Sequence, residues 1–319
     1  MRIITTLEQI HTEQAAAIAV GKFDGVHLGH RRLLQEILHA KADGLQAVVF
    51  TFSPSPEVLF GLSDGKQLTT QMEKRRILEQ LGIDVLIEYP MEPQTAAVDP
   101  AVFIEEYLCR RLKARVIAAG SDLSFGAGGK GDFALLDALK HACGYETVKV
   151  EKLRLAHREV SSSRVRELVL QGAMEEAEAC LGRGYSFTGR VVHGAHLGHT
   201  IGIPTVNLIP EADKLLPPKG VYFSEVQAGG GLHRAITNIG NKPTVNDSGT
   251  VTIESHLLDF AADIYGQEVT VVLHHFHRPE MRFAGVEALK AQMEKDILAA
   301  YRHETDQGVT TSKKNLHTS

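Results

Sequence analysis

The stretch Ala17-Ile18-Ala19-Val20-Gly21-Lys22-Phe23-Asp24-Gly25-Val26-His27-Leu28-Gly29-His30 runs from an apolar, strand-like segment straight into an amphipathic helical pattern, LGHRRLLQEILHAKA. A corner of this kind presents free backbone N–H groups and the positive end of a helix dipole, a setting that favours phosphate. Gly25 and Gly29 let backbone or ligand approach closely. His27 and His30 can donate hydrogen bonds to a phosphoryl group whose charge grows in a transition state. Taken alone, HxGH also reads as a tight turn with two surface histidines.

Outward from this corner, strand-like runs alternate with helical ones. The strands are AIAVGKF (17–23), AVVFTF (47–52), DVLIEY (84–89), RVIAAG (115–120) and TVKVEKL (147–153). They are rich in Val and Ile and lack strict polar alternation, as strands covered on both faces do. Between them lie LGHRRLLQEILHAKA, TQMEKRRILEQLG, VDPAVFIEEYLCRRLKA and DFALLDALKHAC, and SSSRVRELVLQG and AMEEAEACLG follow. This order predicts an α/β fold with a doubly wound, Rossmann-like domain over residues 1–182. After about Gly184, the segments YSFTGRVVHG, VYFSEVQAG, RAITNIG, TVTIESHLLDF and QEVTVVLHHFH are separated by Gly, Pro and Asn turns. They predict a compact antiparallel barrel or sandwich over 183–305, ending in the helix VEALKAQMEKDILAAYR. A polar, flexible tail is expected over 306–319.

The chain has 319 residues, 43% of them hydrophobic and 23% charged, with a net charge of -5. That composition excludes a mainly disordered or fibrous chain. It also provides no global basic field for nucleic acid. No apolar run reaches the length of a membrane span, and the N-terminus lacks a signal-peptide core. Cys109, Cys143 and Cys180 are too widely spaced for a zinc pattern or a disulfide framework. Cytoplasmic residence is expected, with small-molecule partners, no nucleic acid or membrane, and weak homo-oligomerisation left open.

Two more features fall at the carboxyl edge of the predicted sheet. Val160-Ser161-Ser162-Ser163-Arg164-Val165-Arg166 opens a helix after the fifth strand. Its serines read as caps. Arg164 and Arg166, however, bring cations to the dipole end that disfavours them, which a bound anion would reconcile. Gly120-Ser121-Asp122-Leu123-Ser124-Phe125-Gly126 follows the fourth strand, where ligands bind in open α/β sheets. In the second half, Thr205 and Asn207 of Pro204-Thr205-Val206-Asn207 share one side of an extended segment and offer hard oxygen donors. The preceding glycines, Gly198 and Gly202, can wrap a nucleotide. Period two puts Thr252, Glu254 and His256 on one strand face, where a carboxylate can serve as general base.

Together, GKFDGVHLGH, GSDLSFG and VSSSRVR resemble the adenylyltransferase half of the bacterial bifunctional riboflavin kinase/FAD synthetases. GRGYSFTGRVVHG, GHTIGIPTVNL, PPKGVYF, TNIGNKPT, IESHLLDF, DIYG and HRPEMRF resemble their kinase half, in order. The resemblance implies a nucleotidyltransferase domain followed by a six-stranded antiparallel barrel with a C-terminal helix. It implies phosphorylation of riboflavin to FMN, then adenylylation of FMN to FAD, with ATP as co-substrate and Mg²⁺ as the cation. By carry-over, Gly21, Phe23, Asp24, Gly25, Gly29, Ser162, Ser163 and Arg166 bind nucleotide or phosphate, as do Gly198, Gly202 and Pro204. His27, His30, Arg164 and Glu254 are catalytic. Asp122, Phe125 and Arg278 bind flavin, and Thr205 and Asn207 hold the metal. Leu123, Ser163, His199 and Val206 depart from the residues usual in the family. His199 stands where a basic residue is common, which implies weaker binding of ATP or a steeper pH dependence of the kinase.

Two histidine groups, His193/His196/His199 and His274/His275/His277, invite a zinc reading. The first lies in a Gly-rich loop and the second straddles both faces of a strand, so no convergent ligand set is expected from either. A flavin-binding regulator that kept the fold and lost catalysis is the alternative function. An aminoacyl-tRNA synthetase fragment is disfavoured by the acidic charge and the second-domain motifs.

Overall fold

The computed structural model describes residues 1–192, 205–241, 251–258, 260, 262 and 264–306. The chain divides into two units. One comprises Met1–Leu168, Ala179–Gly182 and Glu211–Leu215, and the other Val169–Glu178, Arg183–Pro210 and Leu216–Ser319.

The first unit is built on six parallel strands: β1 (Arg2–Ile4), β2 (Ala16–Val20), β3 (Gln46–Ser53), β4 (Val85–Pro90), β5 (Ala114–Gly120) and β6 (Glu146–Val150). Their order is β1-β4-β3-β2-β5-β6. The five strands read from the sequence are β2 to β6. β1 was not anticipated, because three residues carry no measurable period; it pairs in parallel with β4 from Arg2↔Val85 to Ile4↔Ile87. Alternating side chains feed two cores. Ile18, Val20, Phe50, Ile87, Tyr89 and Ile117 face one side, and Ala17, Ala19, Ala47, Val49, Leu86 and Ala118 the other. The alanines leave room for the helix Leu28–Ala40, which buries Leu33, Leu34 and Ile37 there. VDPAVFIEEYLCRRLKA, read as an ordinary helix, is a short turn at Pro100–Val102 that becomes a π-helix over Phe103–Arg111. Phe103 and Tyr107 then both pack edge-on against Tyr89. A small antiparallel pair, β7 (Arg154–Leu155) and β8 (Arg158–Glu159), was also not anticipated. Strand order reverses between β2 and β5, so a crevice opens at the carboxyl end of β2, where the HxGH corner lies.

The second unit is a six-stranded antiparallel half-barrel. It comprises β9 (Tyr185–Arg190), β10 (Thr205–Leu208), β11 (Gly220–Ala228), β12 (Gly231–Asn241), β13 (Val251–Leu257) and β14 (Glu268–Pro279). The order is β10-β13-β12-β11-β14-β9. Among the described residues, its two edges meet at one antiparallel bridge, Val192 with Asn207. The β11–β12 hairpin turns on Gly229 and Gly230, both at positive φ, as a tight hairpin with right-handed strand twist requires. Inside, Tyr222, Val226, Ile253, Val271 and Leu273 are buried beside a line of hydroxyls, Ser224–Thr237–Ser255, each linked to the next at 2.7 Å. The C-terminal helix spans Val286–Asp306. The tail beyond it lies outside the described residues.

β14 differs from the reading made of it. Its pairing with β11 slips twice, between Val221/Tyr222 and between Phe223/Ser224, so His274 and His277 are extra residues without a partner in the register. A bulge of this kind resets the alternation of side chains. His274 therefore meets Glu225, while His277 stacks on Phe223 and His275 lies tilted against it, two residues from Glu225 on β11. The three histidines gather on one side of the strand rather than straddling it. Burial opposes charge on His274, but hydrogen bonds to Glu178 and Glu225 outweigh it and push its pKa up to about 9.

Candidate active sites

At the first corner the backbone is held in an unusual path. Phe23, Gly25 and Val26 all have positive φ, at 52°, 80° and 39°, and two of them are not glycine. Such conformations persist only where the surroundings over-determine them, and they cluster at ligand sites. Gly25 is required twice over: its φ suits glycine, and a Cβ there would meet Leu68 at 2.9 Å. His27 caps the helix Leu28–Ala40 by accepting from the His30 N–H at 3.3 Å through Nδ1. That bond leaves the proton of a neutral His27 ring on Nε2. The His27 and His30 rings stack 3.7 Å apart, and a Cβ on Gly29 would sit 3.1 Å from the His27 ring. Phe23 is fully buried in the core and packs against His30, so its side chain supports the corner from behind.

Asp24 joins this corner to the Ser-Arg helix, Ser162–Gln171. Its Oδ2 accepts from Arg166 Nη2 at 2.9 Å, and its Oδ1 accepts from the Leu68 N–H at 2.8 Å. Its carbonyl accepts from the Ser162 hydroxyl at 2.9 Å. Ser161, not Ser162, caps the helix, accepting from the Arg164 N–H. Ser163 is exposed. The cations at the start of this helix are not unbalanced. Arg166 is paired with Asp24 and Arg164 with Glu167, so the protein's own carboxylates already supply counter-charge. The loop that Asp24 grips is pinned in turn by Lys214, whose Nζ donates to Leu68 O at 2.8 Å and to Glu73 Oε2 at 2.5 Å. Glu73 also completes a capping box with Thr70. Lys74 is buried beneath the corner, where burial lowers its pKa against the pull of Asp24, Glu88 and Asp213; its ammonium donates to Lys22 O. No sequence signal marked Lys74 or Lys214, and Glu73 carried only that of the Thr70-x-x-Glu73 capping box, not of its pairing with Lys214.

Beside the corner lies a cavity of about 340 Å³, walled by Phe52, Tyr89, Met91, Phe103 and Phe125 and floored by Gly126, Gly128 and Gly129. The Lys22–Glu57 ion pair also lines it. Phe125 was expected near a flavin and is one of these walls; a Cβ on Gly131 would collide with its ring. Asp122, expected with it, is not among the walls. It is exposed and faces Lys152 at 3.4 Å. Leu123 packs against the core. The remaining aromatic walls, Phe52, Tyr89 and Phe103, come from three separate segments and could not be collected from local sequence.

In the second unit, the residues singled out on β10 and β13 lie opposite one another. Asn207 pairs with Glu254, and Thr205 with His256. Thr205 Oγ1 is 3.1 Å from His256 Nδ1, and burial pushes His256 down to about 4, so its ring is neutral. Glu254 is also opposite Asn238 of β12, a neighbour that the strand pattern alone did not reveal. Val206 faces the interior, 2% exposed. Arg278 is held by Asp296 of the C-terminal helix through Nε at 3.1 Å and Nη2 at 2.7 Å. Gly198, His199, Gly202 and Pro204, together with His193 and His196, lie outside the described residues.

Residues 9–164 match the family described as FAD synthetase, and residues 181–303 match the riboflavin kinase family. A bifunctional riboflavin kinase/FMN adenylyltransferase of Listeria monocytogenes is 36% identical over 289 residues, covering 89% of this chain and 91% of that protein. The protein of the same name from Escherichia coli K12 is 37% identical, over 90% of this chain and 92% of its own length. This chain belongs to the bifunctional riboflavin kinase/FMN adenylyltransferase family. A solved structure from Streptococcus pneumoniae, named a macrolide-efflux protein, matches with a TM-score of 0.83 at 29% identity, covering 94% of this chain and 99% of that one. That name describes the other protein. Among the described residues here, no helix is long and apolar enough to cross a membrane.

As a riboflavin kinase/FMN adenylyltransferase, the chain makes FMN from riboflavin and ATP, and FAD from FMN and ATP. The HxGH corner falls within the FAD synthetase match, and Thr205, Asn207 and Glu254 within the riboflavin kinase match. Nothing supports the alternative of a regulator without activity.

Proposed function

We propose the following division of labour among the residues. In the adenylyltransferase half, ATP lies across the HxGH corner and the Ser-Arg helix, and the isoalloxazine ring of FMN enters the aromatic cavity. A phosphate oxygen of FMN attacks the α-phosphorus of ATP, the α–β bridging bond breaks, and pyrophosphate leaves. His27 donates from Nε2 to the phosphoryl oxygens as their charge grows, and His30 stabilises the same charge beside it. Arg164 or Arg166 turns from its carboxylate partner to neutralise the leaving pyrophosphate. The catalysis is positioning and charge stabilisation, with no covalent enzyme intermediate. The observation that carries this reading is the bond set of Asp24, which ties the HxGH corner to a helix 142 residues away.

In the kinase half, Glu254 takes the proton of the riboflavin 5′-hydroxyl as its oxygen attacks the γ-phosphorus of ATP, and ADP leaves. The Thr205 hydroxyl and the Asn207 amide oxygen are hard donors next to Glu254, and with phosphate oxygens and water they suit Mg²⁺. Mg²⁺ bound there supplies counter-charge to the ATP phosphates. Arg278, fixed by Asp296, frames the flavin from the side of the C-terminal helix. Three free cysteines are in keeping with a reducing, cytoplasmic setting.

A timed incubation with riboflavin, ATP and Mg²⁺, with riboflavin, FMN and FAD separated by chromatography, tests the assignment. Glu254→Gln should stop FMN formation yet convert supplied FMN to FAD, and His30→Ala should accumulate FMN without FAD. Loss of both steps in either variant would sink the division.

A further inference from the structure

We propose that Glu175, His275 and His303 form a site for a borderline divalent transition metal, with zinc as the first candidate. The residues come from three elements of the second unit: the helix Met174–Leu181, strand β14 and the helix Val286–Asp306. One ligand atom from each lies within 4.8 Å of the other two. His275 Nδ1 is 2.5 Å from a Glu175 carboxylate oxygen, and the His275 and His303 rings stack with centroids 4.3 Å apart.

The donor set decides the class of ion. Two imidazoles and one carboxylate suit zinc and its neighbours, whereas magnesium and calcium take oxygen ligands. Three protein ligands leave a fourth position for water, the pattern of an open zinc site. Tetrahedral bonds of roughly 2.0–2.2 Å hold the ligand atoms about 3.4 Å from one another, so Glu175 and His275, now 2.5 Å apart, must open to admit the ion. Side-chain rotation accomplishes this, because Glu175 is exposed and the two histidines are only half-buried.

The surroundings sort the histidines of β14. His274 has both ring nitrogens engaged, Nδ1 by Glu178 at 3.2 Å and Nε2 by Glu225 at 3.1 Å. His277 faces Asp296 at 3.4 Å. His275 is the one turned toward Glu175 and His303. Phe223 lies against both candidate rings, with centroids at 5.3 Å from His275 and 5.4 Å from His303, and forms an apolar floor. A metal there clips the C-terminal helix to the barrel. That helix also carries Asp296, the partner of Arg278.

The test uses the full-length chain, stripped with a chelator and kept in excess Mg²⁺. Zn²⁺ is titrated against a chromophoric chelator, and Co²⁺ is followed by visible absorption. The expected result is a single tight Zn²⁺ equivalent and an intense, four-coordinate Co²⁺ spectrum. His275→Ala and His303→Ala should each weaken binding by about tenfold or more. Zn²⁺ should raise the melting temperature of the parent chain and not that of His303→Ala. His303→Gln repeats the test with a side chain that keeps polarity and loses the ligand, and riboflavin phosphorylation reports that each variant is folded. A combined His193→Ala, His196→Ala and His199→Ala variant should bind Zn²⁺ as the parent does. The proposal is overturned if binding survives in His275→Ala and His303→Ala, if it is lost in the combined variant instead, or if Mg²⁺ abolishes it, which marks an adventitious ion only.

Discussion

The two candidate sites are assembled in opposite ways. At the HxGH corner, remote pieces of chain are joined by side chains: Asp24 reaches Arg166 and Leu68, and Lys214 reaches Leu68 and Glu73. At the candidate kinase site, Asn207 and Glu254 are brought face to face by the backbone ladder of β10 and β13. Removing a side chain at the first site should therefore move the site. At the second it should delete one contact and leave the rest standing.

The strongest challenge to that contrast is Lys214→Ala. It leaves the Glu73 carboxylate buried without its cation, and breaking a buried pair costs about 3–5 kcal/mol. Denaturant unfolding of the parent and the variant measures this. A loss below about 1 kcal/mol, the value of an exposed pair, would break the comparison. Next comes Asp24→Ala, which frees the loop, the corner and the Ser-Arg helix from one another. FAD formation should fall by about 100-fold, the scale of a small misplacement of reacting groups, with riboflavin phosphorylation unchanged. Thr205→Ala should lower riboflavin phosphorylation by roughly tenfold, equivalent to about 1.4 kcal/mol, and cost no more stability than its one hydrogen bond to His256, about 1 kcal/mol. A loss as large as that of Lys214→Ala would show that side chains also build the second site.

The smallest effect concerns acid stability of the second unit. Burial raises the Asp296 pKa, but its hydrogen bonds with Arg278 and Gln292 and the Arg278 charge outweigh this and hold it below the ordinary 3.8. A depressed carboxyl contributes stability that is complete above the unfolded value and is lost as pH falls through the lower folded one. Asp296→Asn should therefore flatten the fall in stability of the second unit below pH 3.8, as followed by fluorescence or circular dichroism.

Five of the six parallel strands were legible because buried parallel strands carry an unbroken apolar run, and the turn glycines marked helix ends: Gly44 takes the left-handed cap that its place after a helix predicts. β1 escaped because three residues have no period. The face shared by Glu254 and His256 was legible because alternation is local, but their opposition to Asn207 and Thr205 was not, because register belongs to a pair of strands. β14 shows the limit most clearly. Its sequence alternates well enough to put neighbouring histidines on opposite faces, and two slips against β11 gather them on one.

By itself, the sequence determined the fold class, the two-part organisation and the chemistry-bearing motifs, since periodicity and motif order are carried by neighbouring residues. Only the tertiary structure decided that Asp24 is a hub of hydrogen bonds, that Phe125 walls a cavity while Asp122 turns to Lys152, and that His275 meets Glu175 and His303. Each of these depends on contacts between segments far apart in the chain, where packing and strand register choose the partners and no local pattern records the choice.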